Sequence, residues 1–121
     1  RKQLNFGHTL GHALESFWIE KQTPKSHGHC VALGMKLAVR LSFNLESVTQ
    51  DEIISFINEL YPEDAKMPLW KDLEPYLIQD KKNSNGNLKF TLLSEIGTGI
   101  ENQSVTWEKA EITYNQLFYN N

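Results

Sequence analysis

The chain is organised around one segment near its start, NFGHTLGHALE at residues 5–15, and a short loop separates this segment from HGH at residues 27–29. All 4 histidines of the chain lie in these two segments. His8, His12 and Glu15 stand at positions i, i+4 and i+7, so a helix would place them on one face. Two imidazoles and a carboxylate on one helical face are a candidate for a metal site or a proton-transfer site.

Apolar periodicity and capping signals predict a mainly α-helical domain. Three expected helices cover about 5–20, about 28–44 and 107–118, and Thr106 caps the last of them. Between the second and the last, a capping box at Thr49-x-x-Glu52 opens another helix. A short helix then begins at Pro68, and Pro75 is expected to bend or restart it. Before the last helix, residues 88–93 favour a strand, and a partner strand is expected to end near Val105. The predicted fold is a helical bundle domain with a small β-hairpin.

Composition narrows the class of protein. The chain has 121 residues, a formal net charge of -3 and 1 cysteine. This length suits one domain or part of one, and the absence of a basic stripe argues against a nucleic-acid partner. A single cysteine permits no internal disulfide and fits a cytoplasmic protein. No apolar run reaches the roughly 18 residues of a membrane span, so we expect no membrane partner.

The two glycines of the first segment need an explanation. Gly7 and Gly11 fall inside the first expected helix, where each costs about 1 kcal/mol relative to alanine. We therefore expect another group to approach this face closely, either a neighbouring helix or a ligand.

The residues alone leave the chemistry of the histidines open. A catalytic zinc takes about three protein ligands and keeps one open position, which three histidines, or two histidines and a carboxylate, can supply. Glu15 is the nearby carboxylate, but it lies nearly two turns from His8, and an ordinary solvated glutamate is the more common case. Cys30 is a possible soft ligand, although its place before an apolar helix favours a buried structural thiol.

Three segments, in order along the chain, resemble motifs of the 3-dehydroquinate synthase family. They are RxxLNFGHTxGHAxE at residues 1–15, HGHCVALGM at 27–35, and DKK at 80–82 followed by Gly86 and FxLLxxIG at 90–97. The resemblance implies that residues 1–121 form the later, metal- and substrate-binding part of a helical C-terminal domain. It also implies that the N-terminal NAD-binding domain is absent from this chain, which lacks an initiator methionine.

The resemblance implies an activity as well. Members of this family convert 3-deoxy-D-arabino-heptulosonate 7-phosphate into 3-dehydroquinate and phosphate, a step of the shikimate route to aromatic amino acids. We therefore expect a carbon–oxygen lyase that acts on a phosphorylated sugar acid, uses NAD together with Zn²⁺ or another divalent metal such as Co²⁺, and forms a homodimer. The fragment alone is expected to be inactive.

The motifs also imply roles for single residues. Arg1 and Asn5 resemble substrate contacts, and His12 resembles the catalytic histidine that faces the substrate and its leaving phosphate. One of Lys81 and Lys82 is expected to reach the substrate, and the motif does not tell which. A solvated charge run is the alternative for these lysines.

The metal site is expected to use His8 and His27, with a glutamate upstream of Arg1 as third ligand. One position departs from the family, which usually has His-Gly-Glu where this chain has His-Gly-His at residues 27–29. Related sugar-phosphate cyclases that make valiolone-type products often carry His-Gly-His. Such a cyclase is therefore one alternative, and a non-catalytic helical metal-binding module is another. If the usual glutamate orients a ligand, His29 could replace it as a hydrogen-bond partner.

Overall fold

In the computed structural model, which describes residues 6–62, 66–80, 83, 86–94 and 99–119, the chain forms five helices and a two-stranded sheet. The elements are α1 (His8–Glu20), α2 (His27–Leu41), α3 (Ser47–Leu60), α4 (Trp70–Gln79), β1 (Asn87–Leu93), β2 (Gly99–Thr106) and α5 (Trp107–Phe118). The predicted mainly α fold with one small hairpin is confirmed. None of the helices within these ranges is long and apolar enough to cross a membrane.

Helix α2 is the centre of the domain. It packs against α1, α3, α5 and β1, and its apolar side chains are buried on several faces. Leu33, Leu37 and Val39 are almost completely excluded from solvent. Burying one such side chain stabilises the fold by about 1.5–3 kcal/mol, so the apolar segment that follows HGH supplies much of the core.

The crossing of α1 and α2 explains the glycines. Gly7 is the N-cap of α1, with φ of 84°, and is therefore not inside the helix as predicted. A Cβ atom on Gly34 would lie 2.0 Å from the carbonyl oxygen of Gly7, and one on Gly11 would lie 3.1 Å from the Cα of Val31. A Cβ atom on Gly7 would lie 2.6 Å from the Cγ of Met35. A neighbouring helix, rather than a ligand, thus occupies the space that the glycines leave.

The start of α3 corrects the prediction of a capping box. The helix begins at Ser47 with Glu46 as N-cap, so Thr49 lies inside it. The side-chain amide of Gln50, within the first turn, donates to the carbonyl oxygens of Ser42 and Leu45 at 3.2 and 3.4 Å. These hydrogen bonds hold the segment before the helix, and the N-cap Glu46 makes no side-chain hydrogen bond to the first turn.

The ends of the other helices agree better with the sequence. Helix α5 covers the predicted range, and the hydroxyl of Thr106 accepts a hydrogen bond from the backbone N–H of Lys109 at 3.1 Å. Helix α2 ends at Leu41, three residues before the predicted end. Helix α4 continues through Pro75 and does not restart there.

The hairpin is fastened to the two histidine-bearing helices. Strands β1 and β2 are antiparallel, and Leu88 pairs with Val105. The hydroxyl of Thr9 on α1 donates to the carbonyl oxygen of Lys89 at 2.7 Å. The hydroxyl of Ser42 accepts from the N–H of Leu93 at 2.9 Å, and it donates to a carbonyl oxygen of α2 at 2.7 Å. The hairpin thus restrains the beginning of α1 and the end of α2.

The variant Gly34→Ala tests the close crossing. Because the added methyl group would meet backbone atoms of Gly7 and Gly11, we expect a loss of about 3 kcal/mol or more in the free energy of unfolding, measured in urea. Gly86→Ala is the control, since its Cβ atom would meet nothing within 4 Å. Its positive φ alone should cost about 1–2 kcal/mol. Equal losses in the two variants would contradict a tight crossing.

Candidate metal and substrate site

Three of the four histidines meet where the start of α2 lies against α1. The ring centroids of His8 and His12 are 4.9 Å apart, those of His8 and His27 are 5.6 Å apart, and those of His12 and His27 are 6.3 Å apart. The ring of His29 instead contacts Tyr61, which follows α3, with 5.6 Å between the centroids. The structure therefore brings together the two predicted metal ligands and the predicted catalytic histidine.

The local structure places these rings. His8 is the first residue of α1, directly after the left-handed Gly7, and His12 follows one turn later. His27 is the first residue of α2. The hydroxyl of the N-cap Ser26 accepts a hydrogen bond from the N–H of His29 at 3.1 Å, and this fixes the backbone at the start of α2.

Glu15 contacts the histidine cluster. One of its carboxylate oxygens lies 2.9 Å from Nδ1 of His27. The exposed fractions of the two side chains are 29% for Glu15 and 56% for His27. The interpretation of Glu15 as an ordinary solvated glutamate is therefore wrong.

A cleft of about 330 Å³ opens between α1 and α4 beside these rings. Each residue that lines it carries a polar group, and these residues are His8, Thr9, His12, Ser16, Tyr76, Gln79 and Asp80. Asp80 brings the predicted third segment to the same cleft as His8 and His12. The predicted substrate contacts Arg1, Asn5, Lys81 and Lys82 lie outside the residues that the structure describes.

Residues 1–83 match the family of 3-dehydroquinate synthase C-terminal domains. The chain belongs to this family. The 3-dehydroquinate synthase of Parabacteroides distasonis is 42% identical over 120 residues, which cover 90% of this chain and 32% of that protein. The enzyme of the same name from Leptospira interrogans is 40% identical over 104 residues, which cover 83% of this chain and 28% of that protein. The chain thus spans about a third of the length of these relatives.

Solved structures support the fold of this family member. A 2-deoxy-scyllo-inosose synthase complexed with carbaglucose-6-phosphate, NAD⁺ and Co²⁺ superposes with a TM-score of 0.71. It is 22% identical, and the match covers 93% of this chain and 32% of that one. A second structure of a 2-deoxy-scyllo-inosose synthase gives a TM-score of 0.65 at 23% identity, with 93% and 31% covered. At this identity the likeness concerns the fold.

Several residues of the cleft were missed by the sequence interpretation. Ser16 lies one turn beyond His12, so the same i, i+4 spacing could have found it. Tyr76 and Gln79 carry no such signal, because the packing of α4 on α1 brings them to the cleft. The hydroxyl of Tyr76 also donates a hydrogen bond to the carboxylate of Glu20.

The donor atoms fit part of a divalent metal site. Two imidazoles that share one tetrahedral ion at about 2.1 Å have ring centroids roughly 5 Å apart. The pair His8 and His27, at 5.6 Å, and the pair His8 and His12, at 4.9 Å, are both close to this separation. Within the described ranges no three His, Cys, Asp or Glu side chains form a group that could hold an ion. His8 is thus common to both pairs of rings whose separation suits a shared ion.

Cys30 is a buried structural thiol. Its side chain has no exposed surface. The pKa of this thiol is raised from 9.0 to about 11, chiefly by burial and also by the carboxylate of Glu15, while Lys25 acts in the opposite direction. A thiol that stays protonated is a poor metal ligand and a poor nucleophile.

Alkylation tests this view of Cys30. At pH 8, a pKa of about 11 in place of 9.0 lowers the thiolate fraction roughly 100-fold. We expect iodoacetamide to label the folded 121-residue chain at least about 100-fold more slowly than the chain in urea, as measured by mass spectrometry. Cys30→Ser should take up no label, because the chain has 1 cysteine. Equal rates in the two conditions would show that the thiol is accessible.

Proposed function

We propose that this chain is the metal- and substrate-binding part of a 3-dehydroquinate synthase, which converts 3-deoxy-D-arabino-heptulosonate 7-phosphate into 3-dehydroquinate and phosphate. The observation that carries the proposal is the cluster of His8, His12 and His27, three motif positions that meet beside one polar cleft. Relatives of that name at 42% and 40% identity support it. The proposal includes NAD and a divalent metal, Zn²⁺ or Co²⁺, and a structure of similar fold was crystallised with NAD⁺ and Co²⁺.

His8 and His27 are the proposed metal ligands in this chain. A bound divalent ion would act as a Lewis acid that polarises a hydroxyl or carbonyl oxygen of the substrate. The two histidines come from different helices, so the crossing of α1 and α2 sets the distance between them. The third ligand is proposed to be a glutamate upstream of Arg1, as the motif resemblance implies.

His12 is proposed to serve the substrate rather than the metal. Its side chain is exposed in the cleft, and its ring lies farther from His27 than that of His8 does. Near neutral pH an imidazole can donate a hydrogen bond to a phosphate oxygen and can accept or return a proton. Ser16 and Tyr76 supply hydroxyl groups, and Gln79 supplies an amide, for hydrogen bonds to a polyhydroxylated sugar acid.

The charge of the substrate requires further residues. A phosphorylated sugar acid carries a phosphate and a carboxylate, both of which need cationic partners. Among the described residues that line the cleft, none is a lysine or an arginine, and Asp80 adds a negative charge. The proposal therefore assigns the phosphate and the carboxylate to Arg1 and to one of Lys81 and Lys82, which follow Asp80 directly in the sequence.

A second candidate function is that of a different sugar-phosphate cyclase. It is favoured by His29, which stands where the family usually has glutamate. An assay of the full-length protein with two substrates decides between them. Phosphate release from 3-deoxy-D-arabino-heptulosonate 7-phosphate is the expected result. Turnover of sedoheptulose 7-phosphate instead would replace the first proposal by the second.

Histidine variants of the full-length protein test the assigned roles. His8→Ala and His27→Ala should lose stoichiometric metal, as measured by elemental analysis after gel filtration. His12→Ala should keep the metal and lose about 100-fold or more in kcat, because the proton-transfer group is gone. His29→Ala is the matched control and should keep the metal, since its ring packs against Tyr61. Loss of metal from the His12 variant would assign that histidine to the ion.

A further inference from the structure

We propose that Glu15 is a positioning residue for His27, and that its carboxylate holds the Nδ1–H of the ring so that Nε2 faces the metal. The inference rests on the proposed role of His27 as a metal ligand. It assigns to Glu15 a task that neither its place in the motif nor its spacing from His8 indicated.

The hydrogen bond to Glu15 is the main restraint on the ring of His27. The side chain is 56% exposed, and its ring also contacts the rings of His8 and His12. Its Nδ1 atom lies 2.9 Å from Oε1 of Glu15, and within the described part of the chain this is the one hydrogen bond to the ring. The Ser26 cap fixes only the backbone at this position. Without Glu15, a ligand at the first residue of α2 would be free to turn toward solvent.

The helix crossing sets this contact. Gly7 lies against Met35, and Gly11 lies against Val31. Moving four residues toward the C-terminus of α1 therefore corresponds to moving four residues toward the N-terminus of α2. The next step pairs position 15 with position 27, and these are the two residues that form the hydrogen bond. Since residues four apart lie on one helical face, the antiparallel register places Glu15 beside His27.

The contact also selects a tautomer. A neutral imidazole carries one N–H, and a carboxylate that accepts at Nδ1 places the proton there. Nε2 then keeps its lone pair for a metal ion. Carboxylate–histidine–metal arrangements of this kind are common, and loss of the carboxylate typically weakens metal binding by about 10–100-fold.

Metal affinity of the full-length protein tests the inference. We would measure Zn²⁺ dissociation constants by chelator competition for the wild type, Glu15→Ala, Glu15→Gln and the control Glu111→Gln, which changes an exposed glutamate on α5. Glu15→Ala should bind Zn²⁺ about 10–100-fold more weakly but still at one ion per chain. Glu15→Gln should lose less, because its amide oxygen can still accept from Nδ1–H. The control should match the wild type.

Two further readouts separate positioning from a general structural effect. The absorption bands of bound Co²⁺ should shift in Glu15→Ala, because a ligand ring changes its orientation. The thermal midpoint of the metal-free protein should stay unchanged in Glu15→Gln. If Glu15→Ala lowers that midpoint, the affinity of Glu15→Gln decides. A loss in Glu15→Gln as large as that in Glu15→Ala would overturn the inference, because the glutamine keeps an acceptor for Nδ1–H.

The remaining outcomes allow a failure of the inference to be told apart from a failure of the proposed function. An affinity of Glu15→Ala within twofold of the wild type would show that His27 needs no positioning. Loss of stoichiometric Zn²⁺, as in His27→Ala, would make Glu15 a ligand and also overturn the inference. A weakened affinity in a protein that releases no phosphate from the heptulosonate substrate would instead refute the reaction and leave the positioning role intact. A wild type that binds no divalent ion would refute the role of Glu15 together with the metal site.

Discussion

The close crossing of α1 and α2 is the constraint on which the rest of the structure depends. The carbonyl oxygen of Gly7 occupies the space that a side chain on Gly34 would need, and Gly11 lies against the backbone of Val31. Backbones approach this closely only where a Cβ atom is missing. The crossing fixes the antiparallel register of the two helices, and the register brings His8 and His27 from opposite ends of a helical hairpin to one place. The glycines thus determine the positions of these two histidines without contacting the site.

Local signals in the sequence explain why most of the fold could be predicted. A cap at Thr106 and the apolar pattern after it identify α5 with both ends correct, and alternation identifies β1 to within one residue. The predicted start of α3 was wrong, because the helix begins at Ser47 with Glu46 as N-cap and no side-chain cap hydrogen bond. A start of this kind leaves no capping signal in the sequence. Local pattern thus identifies each element, whereas an end without a capping side chain is not marked by it.

The candidate site could be predicted only in part, for a related reason. His8 and His12 share a helix, so their spacing alone predicts that they are neighbours. The hydrogen bond between Glu15 and His27 joins α1 to α2, and the cleft forms where α4 packs on α1. Both depend on tertiary geometry. The sequence nevertheless held a usable clue, because glycines at positions 7, 11 and 34 fix the register once the two helices are known to be antiparallel.

A site divided between two helices links metal binding to packing. An ion that binds only the folded chain stabilises it by an amount that rises with the logarithm of its affinity, and here that stabilisation would act on the contact between α1 and α2. The converse also holds, since any change that moves the crossing alters the separation of His8 and His27. The separation of His8 and His12 would not depend on the crossing in this way, because both residues lie on α1. A metal site on His8 and His27 therefore makes the glycine contacts part of the functional geometry, although no glycine contacts the ion.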